Sequence, residues 1–480
     1  MKKKEKSKHN VDAHSSPVEI AAPITIDRRS RADRKDEGKA IRLAVPLANH
    51  ADWHAPANRR DPIDLLIETG AGRVPELLPI RYGRMMQSPF AFYRGAAAIM
   101  SADLAGLPST GIRVQACGDC HLVNFGSFAT PERRQVTAIN DFDETLPAPW
   151  EFDIKRLAVS FVVAGRNNRF TAEEARGAAQ ACARSYRERM REFSKMGVLD
   201  TWYFSIDMDD IVERIEDETT KARAKKRFAK ARDRNILSED FPELVTFEGG
   251  THRIRDNPPL IYHAQGEEAS KMESRVREAF ERYRATLAED KRLLLDRYEY
   301  KDLAAKVVGV GSVGSVGTRC AIILMMGGAD EPLFLQVKEA NASVLEPYVG
   351  KSSYPNHGQR VVMGQRLMQS STDIFLGWTE TDIGKHFYIR QMRDMKLKPL
   401  IELFSPATMA QYAEICGWAL AGAHARSGDA AKIAGYLGKK DDFEIALADF
   451  SEAYADQNDK DHQALVHAVQ QGRLEVYLER

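Results

Sequence analysis

Two short segments carry side chains whose types and spacing suit phosphoryl transfer. Residues 118–124 read G-D-C-H-L-V-N, which puts Asp119 on a loop and Asn124 five positions later. Residues 139–143 read I-N-D-F-D, so an apolar strand ends on a pair of carboxylates. This chemistry needs one carboxylate to orient the attacking hydroxyl, and an amide with a second carboxylate to hold Mg²⁺ on the nucleotide phosphates. The two segments supply each of these groups.

A glycine-rich segment lies almost two hundred residues further along the chain. Residues 309–316 read G-V-G-S-V-G-S-V, a spacing shared by kinase loops and dinucleotide-binding turns. A dinucleotide turn requires a helix after the glycines, whereas this chain continues as strand, turn and strand over residues 318–326, 327–330 and 333–338. A glycine-rich loop on a β-hairpin, with a lysine near the end of the second strand, is the kinase arrangement. Lys338 is therefore the candidate for binding the α- and β-phosphates.

The first two segments resemble the aminoglycoside phosphotransferase branch of the kinase-like fold. That family's signature runs H-G-D-x-H-x-x-N and is followed by a strand ending in I-D-[FW]; Cys117 stands where the family usually has its first histidine. The resemblance implies that Asp119 is the catalytic base and that His121 braces the catalytic loop, with Asp153 supporting this loop from behind. It further implies magnesium ligation by Asn124, Asp141 and Asp143, and nucleotide contacts from Gly309, Gly311, Ser312, Gly314 and Lys338.

The order of these segments differs from that of an ordinary kinase, in which the glycine-rich loop and the lysine precede the catalytic loop. A circular permutation accounts for the difference, because moving the termini preserves a site when the old ends were close in space. Residues 358–369 then suit the helix behind the lysine strand, and residues 373–378 and 386–392 suit two further strands. That helix contains no acidic residue to pair with Lys338, which leaves Glu339 and Glu346 as candidate replacements.

Over roughly residues 60–475, the chain also resembles a bacterial family catalogued as domain of unknown function 2252. The matching text includes residues 88–95, 118–126, 140–144, 308–318, 336–340 and 423–429. Together the resemblances imply an α+β, two-lobed protein-kinase-like fold that is circularly permuted and carries a large helical insert. The expected parts are a disordered polar tail (1–55), a catalytic part with the insert (56–298), a β-sheet with the glycine-rich loop (299–398) and C-terminal helices (399–480).

The segment between the motifs is predicted to be mostly helical. Residues 171–196 open with a threonine cap and two glutamates in the first turn, which is typical of a helix start. Residues 244–262 contain G-G and P-P and predict a hairpin with a loop, whereas residues 267–298 predict one long helix. We expect the specificity for the acceptor to reside in this insert and in the C-terminal helices.

A competing motif overlaps the first segment. Cys117, Cys120 and His121 form the C-x-x-C-H signature for attachment of c-type haem. That chemistry needs an exported chain, but the Lys-rich N-terminus is not followed by the apolar region of a secretory signal. Zinc is no better supported, because the other three cysteines occur singly. Unpaired thiols indicate a reducing compartment, and we expect a cytoplasmic protein.

Composition narrows the expected partners. The chain has 480 residues, of which 43% are hydrophobic and 29% charged, as is ordinary for a soluble protein. Because 69 basic residues balance 69 acidic ones, there is no global basic field, and we expect no nucleic-acid partner. The longest apolar runs are far below membrane-spanning length, so we expect no membrane partner.

The sequence therefore predicts a phosphotransferase that uses ATP and Mg²⁺ to modify a hydroxyl of a small molecule. Two alternatives stay open at this point. One is transfer of AMP, in which the nucleotide is inverted and the same ligands serve. The other is a non-catalytic nucleotide-binding module of the pseudokinase type, which the missing helix glutamate favours. No motif specifies the acceptor or the oligomeric state.

Overall fold

A computed structural model describes residues 19–213, 241–258, 260–306, 316–392 and 399–478, together with residues 218, 221, 222, 225, 226 and 229. Within these residues the chain forms a mixed α+β fold with four β-sheets, and helices are more abundant than strands. The predicted α+β class is confirmed. None of the helices in the described ranges combines the length and the apolar character that a bilayer crossing requires.

Among the described residues, five α-helices precede the first strand. They are α1 (Arg31–Ala44), α2 (Pro62–Gly70), α3 (Leu78–Met86), α4 (Pro89–Gly95) and α5 (Ala97–Ala105). The prediction of a disordered tail over residues 1–55 is wrong for α1, while residues 1–18 lie outside the described ranges. Gly38 lies so close to Lys432 that a Cβ atom would meet its carbonyl oxygen at 2.1 Å. Glu37 also pairs with Lys432 at 2.8 Å, so this charged helix is stabilised by its tertiary partner.

Two small sheets surround the first two motifs. Their strands are β1 (Arg113–Ala116), β2 (Phe125–Ala129), β3 (Gln135–Ile139), β4 (Leu146–Pro149) and β5 (Ile206–Asp207). Strand β1 pairs with β4, and β3 lies between β2 and β5, all antiparallel. The β2–β3 register pairs Phe125 with Ile139. The residues just before β2 and just after β3 are therefore neighbours, which brings the two motifs together.

Helix α6 (Trp150–Asn167) is buried along almost its whole length and lies at the centre of the main hydrophobic core. It is followed by α7 (Ala172–Phe193), α8 (Val198–Tyr203) and α9 (Met208–Glu213). The predicted start of α7 is confirmed, because Thr171 and Glu174 form a reciprocal capping box. Trp150 of α6 stacks on Tyr186 of α7 with ring centroids 5.6 Å apart, which joins the two helices in the core.

The next segment contains α10 (Phe241–Leu244), β6 (Val245–Glu248), β7 (Thr251–Ile254), β8 (Ile261–Tyr262), α11 (Glu267–Ala285) and α12 (Glu289–Leu295). The predicted hairpin is confirmed as β6 and β7. The prediction of one helix over residues 267–298 is wrong, since α11 ends before Thr286 and a strand begins at Tyr298. The Thr286 hydroxyl donates to the Tyr283 carbonyl and accepts from the Trp378 amide, so the break is fixed by contacts to another strand.

A six-stranded antiparallel sheet holds the lysine strand. With β8 at one edge, its other strands are β9 (Tyr298–Lys306), β10 (Cys320–Gly327), β11 (Pro332–Glu339), β12 (Gly377–Glu380) and β13 (His386–Gln391), in the order β12-β13-β11-β10-β9-β8. The predicted hairpin is confirmed, with Cys320 of β10 opposite Lys338 of β11. Helices α13 (Glu346–Val349) and α14 (His357–Met368) connect β11 to β12, so the predicted helix and two further strands are confirmed.

Three helices complete the described chain, namely α15 (Pro406–Ser427), α16 (Ala430–Leu437) and α17 (Asp442–Gln470). Helix α15 packs along α7, and α17 packs on both α6 and α7. These contacts place His424 of α15 in the main core, where its side chain is fully buried. The C-terminal helices thereby support α6 and the earlier loop that contains Asp119.

Candidate active site

The loop that contains Asp119 is held in place by Asp153, in the first turn of α6. The two carboxylate oxygens of Asp153 accept hydrogen bonds from the Cys117 and Gly118 amides at 2.7 and 3.0 Å. His424 lies 3.2 Å from the same carboxylate and also contacts the Tyr186 hydroxyl at 2.8 Å. The predicted support of this loop by Asp153 is confirmed, since a buried carboxylate is stable when backbone amides and a histidine surround it.

Asp119 itself is paired with Arg156, one turn further along α6. Both Nε and Nη2 of Arg156 contact Oδ1 of Asp119, at 2.7 and 2.5 Å, whereas Oδ2 lies 3.9 Å from Nε2 of His121. Arg156 is fixed in turn by the Tyr93 carbonyl and lies 4.6 Å from the centre of the Tyr93 ring. Burial raises the pKa of Asp119, and Arg156 opposes this effect. The sequence offered no motif for Arg156, and the helical spacing from Asp153 was the only signal.

His121 and Asn124 join this loop to the next motif. Nδ1 of His121 accepts a hydrogen bond from the Val123 amide at 3.2 Å, which fits the predicted bracing role. The side-chain amide of Asn124 donates to the Asp119 carbonyl at 2.8 Å, and the Asn124 carbonyl accepts from the Asn140 amide at 2.8 Å. Asn124 therefore links the two segments through both its side chain and its backbone.

The two carboxylates of the second motif have different surroundings. Oδ1 of Asp141 accepts only the Asp143 amide among the hydrogen bonds of the described residues, at 3.2 Å. Asp143, in contrast, contacts Nζ of Lys338 at 2.9 Å and the Tyr388 hydroxyl at 2.7 Å, one with each oxygen. Burial and the charge of Asp143 raise the pKa of Asp141. Burial alone would raise the pKa of Asp143 too, but the Lys338 ammonium lowers it.

The acidic partner of Lys338 is therefore Asp143, and not Glu339 or Glu346. Glu339 pairs with Arg319 and Lys385, each at 3.2 Å. Glu346 lies 3.8 Å from His357. Lys338 is almost completely buried, and burial alone would lower its pKa, but the carboxylate of Asp143 raises it well above the usual value. The ammonium is therefore charged and locked to the end of the second motif.

Helix α14, which contains no acidic residue, contributes an arginine to the site. The guanidinium of Arg360 donates to the carbonyls of Asp143, Thr145 and Asn341 at 2.8, 2.7 and 2.8 Å. Just beyond the helix, the side-chain amide of Gln369 donates to the Ile139 carbonyl at 2.6 Å. The helix therefore holds the backbone on both sides of the D-F-D motif. Sequence reasoning missed this role because a backbone contact leaves no residue pattern.

A cavity of about 550 Å³ joins the two motifs. Its walls include the predicted site residues Asp119, His121, Asn124, Asp141 and Asp143, and also Thr318, Glu339 and three arginines from the N-terminal helices. Gly309, Gly311, Ser312 and Gly314 lie outside the described residues. The chain just after them reaches the cavity, because the Val316 carbonyl accepts from Arg73 at 2.5 Å and the Gly317 carbonyl accepts from the Val74 amide at 2.7 Å.

The cysteines that overlap the first motif are not suited to haem or zinc. Cys117 and Cys120 are buried in the main core with at most 1% exposure, which leaves no access for haem attachment. Their sulfurs and an Asp153 oxygen lie within 4.8 Å of one another. However, both Asp153 oxygens already accept amide hydrogen bonds, and burial raises the pKa of Cys120 to about 12 and that of Cys117 well above its usual value. Structural zinc sites take four ligands, and this group offers three.

Comparison with known proteins identifies one family. A family model described as an uncharacterized protein conserved in bacteria (DUF2252) matches residues 73–468. This range contains both motifs, the described end of the glycine-rich segment and the lysine strand. No curated protein and no solved structure matches the chain.

Proposed function

The chain belongs to this bacterial DUF2252 family, and we propose that it is an ATP- and Mg²⁺-dependent phosphotransferase that acts on a hydroxyl group. The observation that carries the proposal is the 2.9 Å contact between Lys338 and Asp143, which are 195 residues apart. Asp143 shares its cavity with Asp119, Asn124 and Asp141. A lysine on a strand, a loop carboxylate and two oxygen ligands for a metal are the residue types that this reaction uses.

The sheet supports a kinase-like reading of the fold. Counting from the strand that precedes the glycine-rich segment, Lys338 lies on the third strand, as it does in protein kinases. Two helices and two more strands follow this strand, and the last of these strands pairs with the lysine strand. Because the Asp119 loop comes earlier in the chain, we propose that this is a two-lobed kinase-like fold in circularly permuted order.

In the proposed reaction, the acceptor oxygen forms a bond to the γ-phosphorus, the bond from phosphorus to the β,γ-bridging oxygen breaks, and ADP leaves. Asp119 orients the acceptor hydroxyl and takes its proton. We assign this role to Oδ2, since Oδ1 is engaged by Arg156. Burial raises the pKa of Asp119, which makes it a better proton acceptor than an exposed carboxylate, while Arg156 keeps it ionised.

Asp141 and Asn124 are the proposed metal ligands. Both line the cavity, and carboxylate and amide oxygens are ligands that Mg²⁺ prefers. Bound Mg²⁺ would neutralise charge on the β- and γ-phosphates. Asp143 was also a candidate ligand, but its two oxygens contact Lys338 and Tyr388. We therefore propose that Asp143 positions Lys338 for the α- and β-phosphates and replaces the helix glutamate of kinases.

Labelled nucleotides separate the three possible activities. The purified protein is incubated with a bacterial metabolite extract, Mg²⁺ and ATP labelled either at the γ- or at the α-phosphate. We expect label from the γ-position on a new product. Label from the α-position would instead identify AMP transfer. Thermal stabilisation by Mg-ATP without transfer of either label would favour the non-catalytic module.

A further inference from the structure

Three arginines line the helical side of the candidate cavity, and the proposed reaction gives none of them a role. Arg73 lies between α2 and α3, Arg81 on α3 and Arg94 on α4, and all three belong to the cavity wall. Arg81 is only 2% exposed. A buried guanidinium group beside two half-buried ones in the same cavity is a suitable site for an anion.

Within the described ranges, Arg73 and Arg81 donate hydrogen bonds to backbone carbonyls, and Arg81 also lies beside the ring of Tyr82. Arg73 donates to the carbonyls of Thr69 and Val316 at 3.2 and 2.5 Å. Arg81 donates through Nη2 to the Gly95 carbonyl at 3.1 Å, and its Nε and Nη1 have no hydrogen-bond partner. Within the described part of the chain, no carboxylate forms an ion pair with either residue. Burial, together with the charge of Arg73, lowers the pKa of Arg81 to about 9, and the opposing effects of Tyr82 and Glu144 are smaller.

Most carboxylates of the cavity wall are already paired with other cations. Asp119 pairs with Arg156, Asp143 with Lys338, Glu339 with Arg319, and Glu68 with Arg60. Glu144 accepts the Val344 amide, and burial raises its pKa to about 7, so near neutral pH it supplies only part of a negative charge. Asp141 is the proposed metal ligand. The wall therefore has positive charge that its own carboxylates do not neutralise.

We propose that Arg73, Arg81 and Arg94 bind a phosphate group on the acceptor, so that the substrate is a phosphorylated alcohol. This inference rests on the proposed function. Guanidinium groups suit phosphate oxygens because their planar forks donate paired hydrogen bonds. Arg94 and Arg81 lie on the side of the base, because Arg156, the partner of Asp119, donates to the Tyr93 carbonyl and Arg81 donates to the Gly95 carbonyl. Arg73 completes the group from the end of the glycine-rich segment, where it donates to the Val316 carbonyl. The nucleotide phosphates have separate partners in Lys338 and the metal ligands.

The γ-phosphate of ATP is the other possible source of this anion, and calorimetry with inorganic phosphate distinguishes the two. We expect phosphate to bind the wild-type protein without nucleotide. We also expect it to bind when the protein is saturated with Mg²⁺ and a non-hydrolysable ATP analogue. Failure of phosphate to bind the free protein, or loss of phosphate binding in the presence of the analogue, would overturn the inference.

Arg81→Met and Arg73→Met test the residues themselves. Each is expected to weaken phosphate binding at least tenfold while the affinity for Mg-ATP changes less than threefold. The matched control is Arg84→Met, a buried arginine on the same helix that does not line the cavity. Because Arg81→Met removes an unpaired buried charge, its melting temperature is expected to equal or exceed that of the wild type. Equal weakening of phosphate and Mg-ATP binding in either variant would assign the arginines to the nucleotide and refute the acceptor subsite.

The two proposals fail in different ways. If phosphate binds as expected but Mg-ATP does not bind the wild type, the phosphotransferase proposal is wrong although the anion site exists. If Mg-ATP binds and phosphate does not, the phosphotransferase proposal survives and the phosphorylated acceptor is excluded. If both phosphate and Mg-ATP bind, the protein should be tested with pairs of alcohols that differ only in a phosphate group. We expect it to consume more ATP with the phosphorylated alcohol of each pair.

Discussion

The Asp119 loop and the D-F-D segment form one cavity but are held by different means. The Asp119 loop is fixed by Asp153 and Arg156, both on the helix that follows within about 40 residues. The D-F-D segment is fixed by Lys338, Tyr388 and Arg360, which come from a sheet and a helix far along the chain. The first half of the site is therefore built locally, whereas the second half exists only when two distant parts of the chain have docked.

This difference leads to separate experimental signatures. Substitutions around Asp119 should affect chemistry or local stability without disturbing the six-stranded sheet. Substitutions around Asp143 should instead report on the coupling between that sheet and the rest of the molecule.

Asp119→Asn should reduce the transfer rate about 10²- to 10⁴-fold, because the amide cannot take the acceptor proton. Mg-ATP binding should change little, since Asp119 is not a metal ligand in this account. The measurement is label transfer under saturating ATP, with calorimetric binding of Mg-ATP alongside. Asp456→Asn, a surface position on α17, is the control. If the Asp119 variant kept full activity, Asp119 would have no role in the reaction.

Lys338→Met should lower the free energy of unfolding by about 3 to 5 kcal/mol, because it leaves the buried carboxylate of Asp143 without its partner. The Lys338→Met/Asp143→Asn double variant should be less destabilised than the sum of its single variants, with a coupling energy of about 1 to 3 kcal/mol. Urea unfolding of the four proteins measures this coupling. If the effects of the two substitutions on the free energy of unfolding were strictly additive, the contact between Lys338 and Asp143 would not join the two parts of the chain.

Asp153→Ala should lower the free energy of unfolding by about 3 kcal/mol, since two amides and His424 lose a buried charged acceptor. Unlike the Lys338 variant, it should show additivity with Asp143→Asn, because the two residues share no hydrogen-bond partner. Urea unfolding of Asp153→Ala, Asp143→Asn and the double variant checks this expectation. If Asp153→Ala lowered the free energy of unfolding no more than the exposed Asp456→Ala does, the loop that contains Asp119 would not depend on Asp153.

Glu144→Gln should change the pH dependence of stability. The pKa of Glu144 in the folded protein is about 7, above the value of about 4.3 for an exposed glutamate. The folded state therefore holds this proton more tightly, and the contribution of Glu144 to stability falls as the pH rises from about 4 to 7. Relative to the wild type, the glutamine variant should gain roughly 2 to 3 kcal/mol between pH 5 and pH 8. If the stability of Glu144→Gln changed with pH in parallel with that of the wild type, as expected for the exposed Glu278→Gln, this prediction would be contradicted.

Three features predicted from the sequence are confirmed by the structure. The strand-turn-strand after the glycine-rich segment, the capped start of α7 and the support by Asp153 each depend on residues close together in the chain, where residue patterns carry the information. The partner of Lys338 was not predicted, because Asp143 becomes its neighbour only through tertiary docking. Helix α1 was missed for a similar reason, since its polar sequence is stabilised by contacts near Lys432 that no local pattern reveals.

Arg156, Arg360 and Tyr388 were missed for another reason. Each acts through a carbonyl or a carboxylate that many residues offer, so its spacing from the motifs is not distinctive. The break between α11 and α12 was also not predicted, because Thr286 ends the helix through contacts to a strand almost 100 residues away. Features set by nearby residues could therefore be predicted from the sequence. Contacts between distant parts of the chain could be identified only from the structure.

The central claim is that both halves of the site enclose one Mg²⁺-bound triphosphate. Calorimetric titration of ATP into the wild type and Asp141→Asn, each with and without Mg²⁺, tests this claim most directly. We predict Mg²⁺-dependent binding by the wild type and a loss of the Mg²⁺-dependent part in the variant. Identical titrations for the two proteins, or no binding by the wild type, would contradict the account.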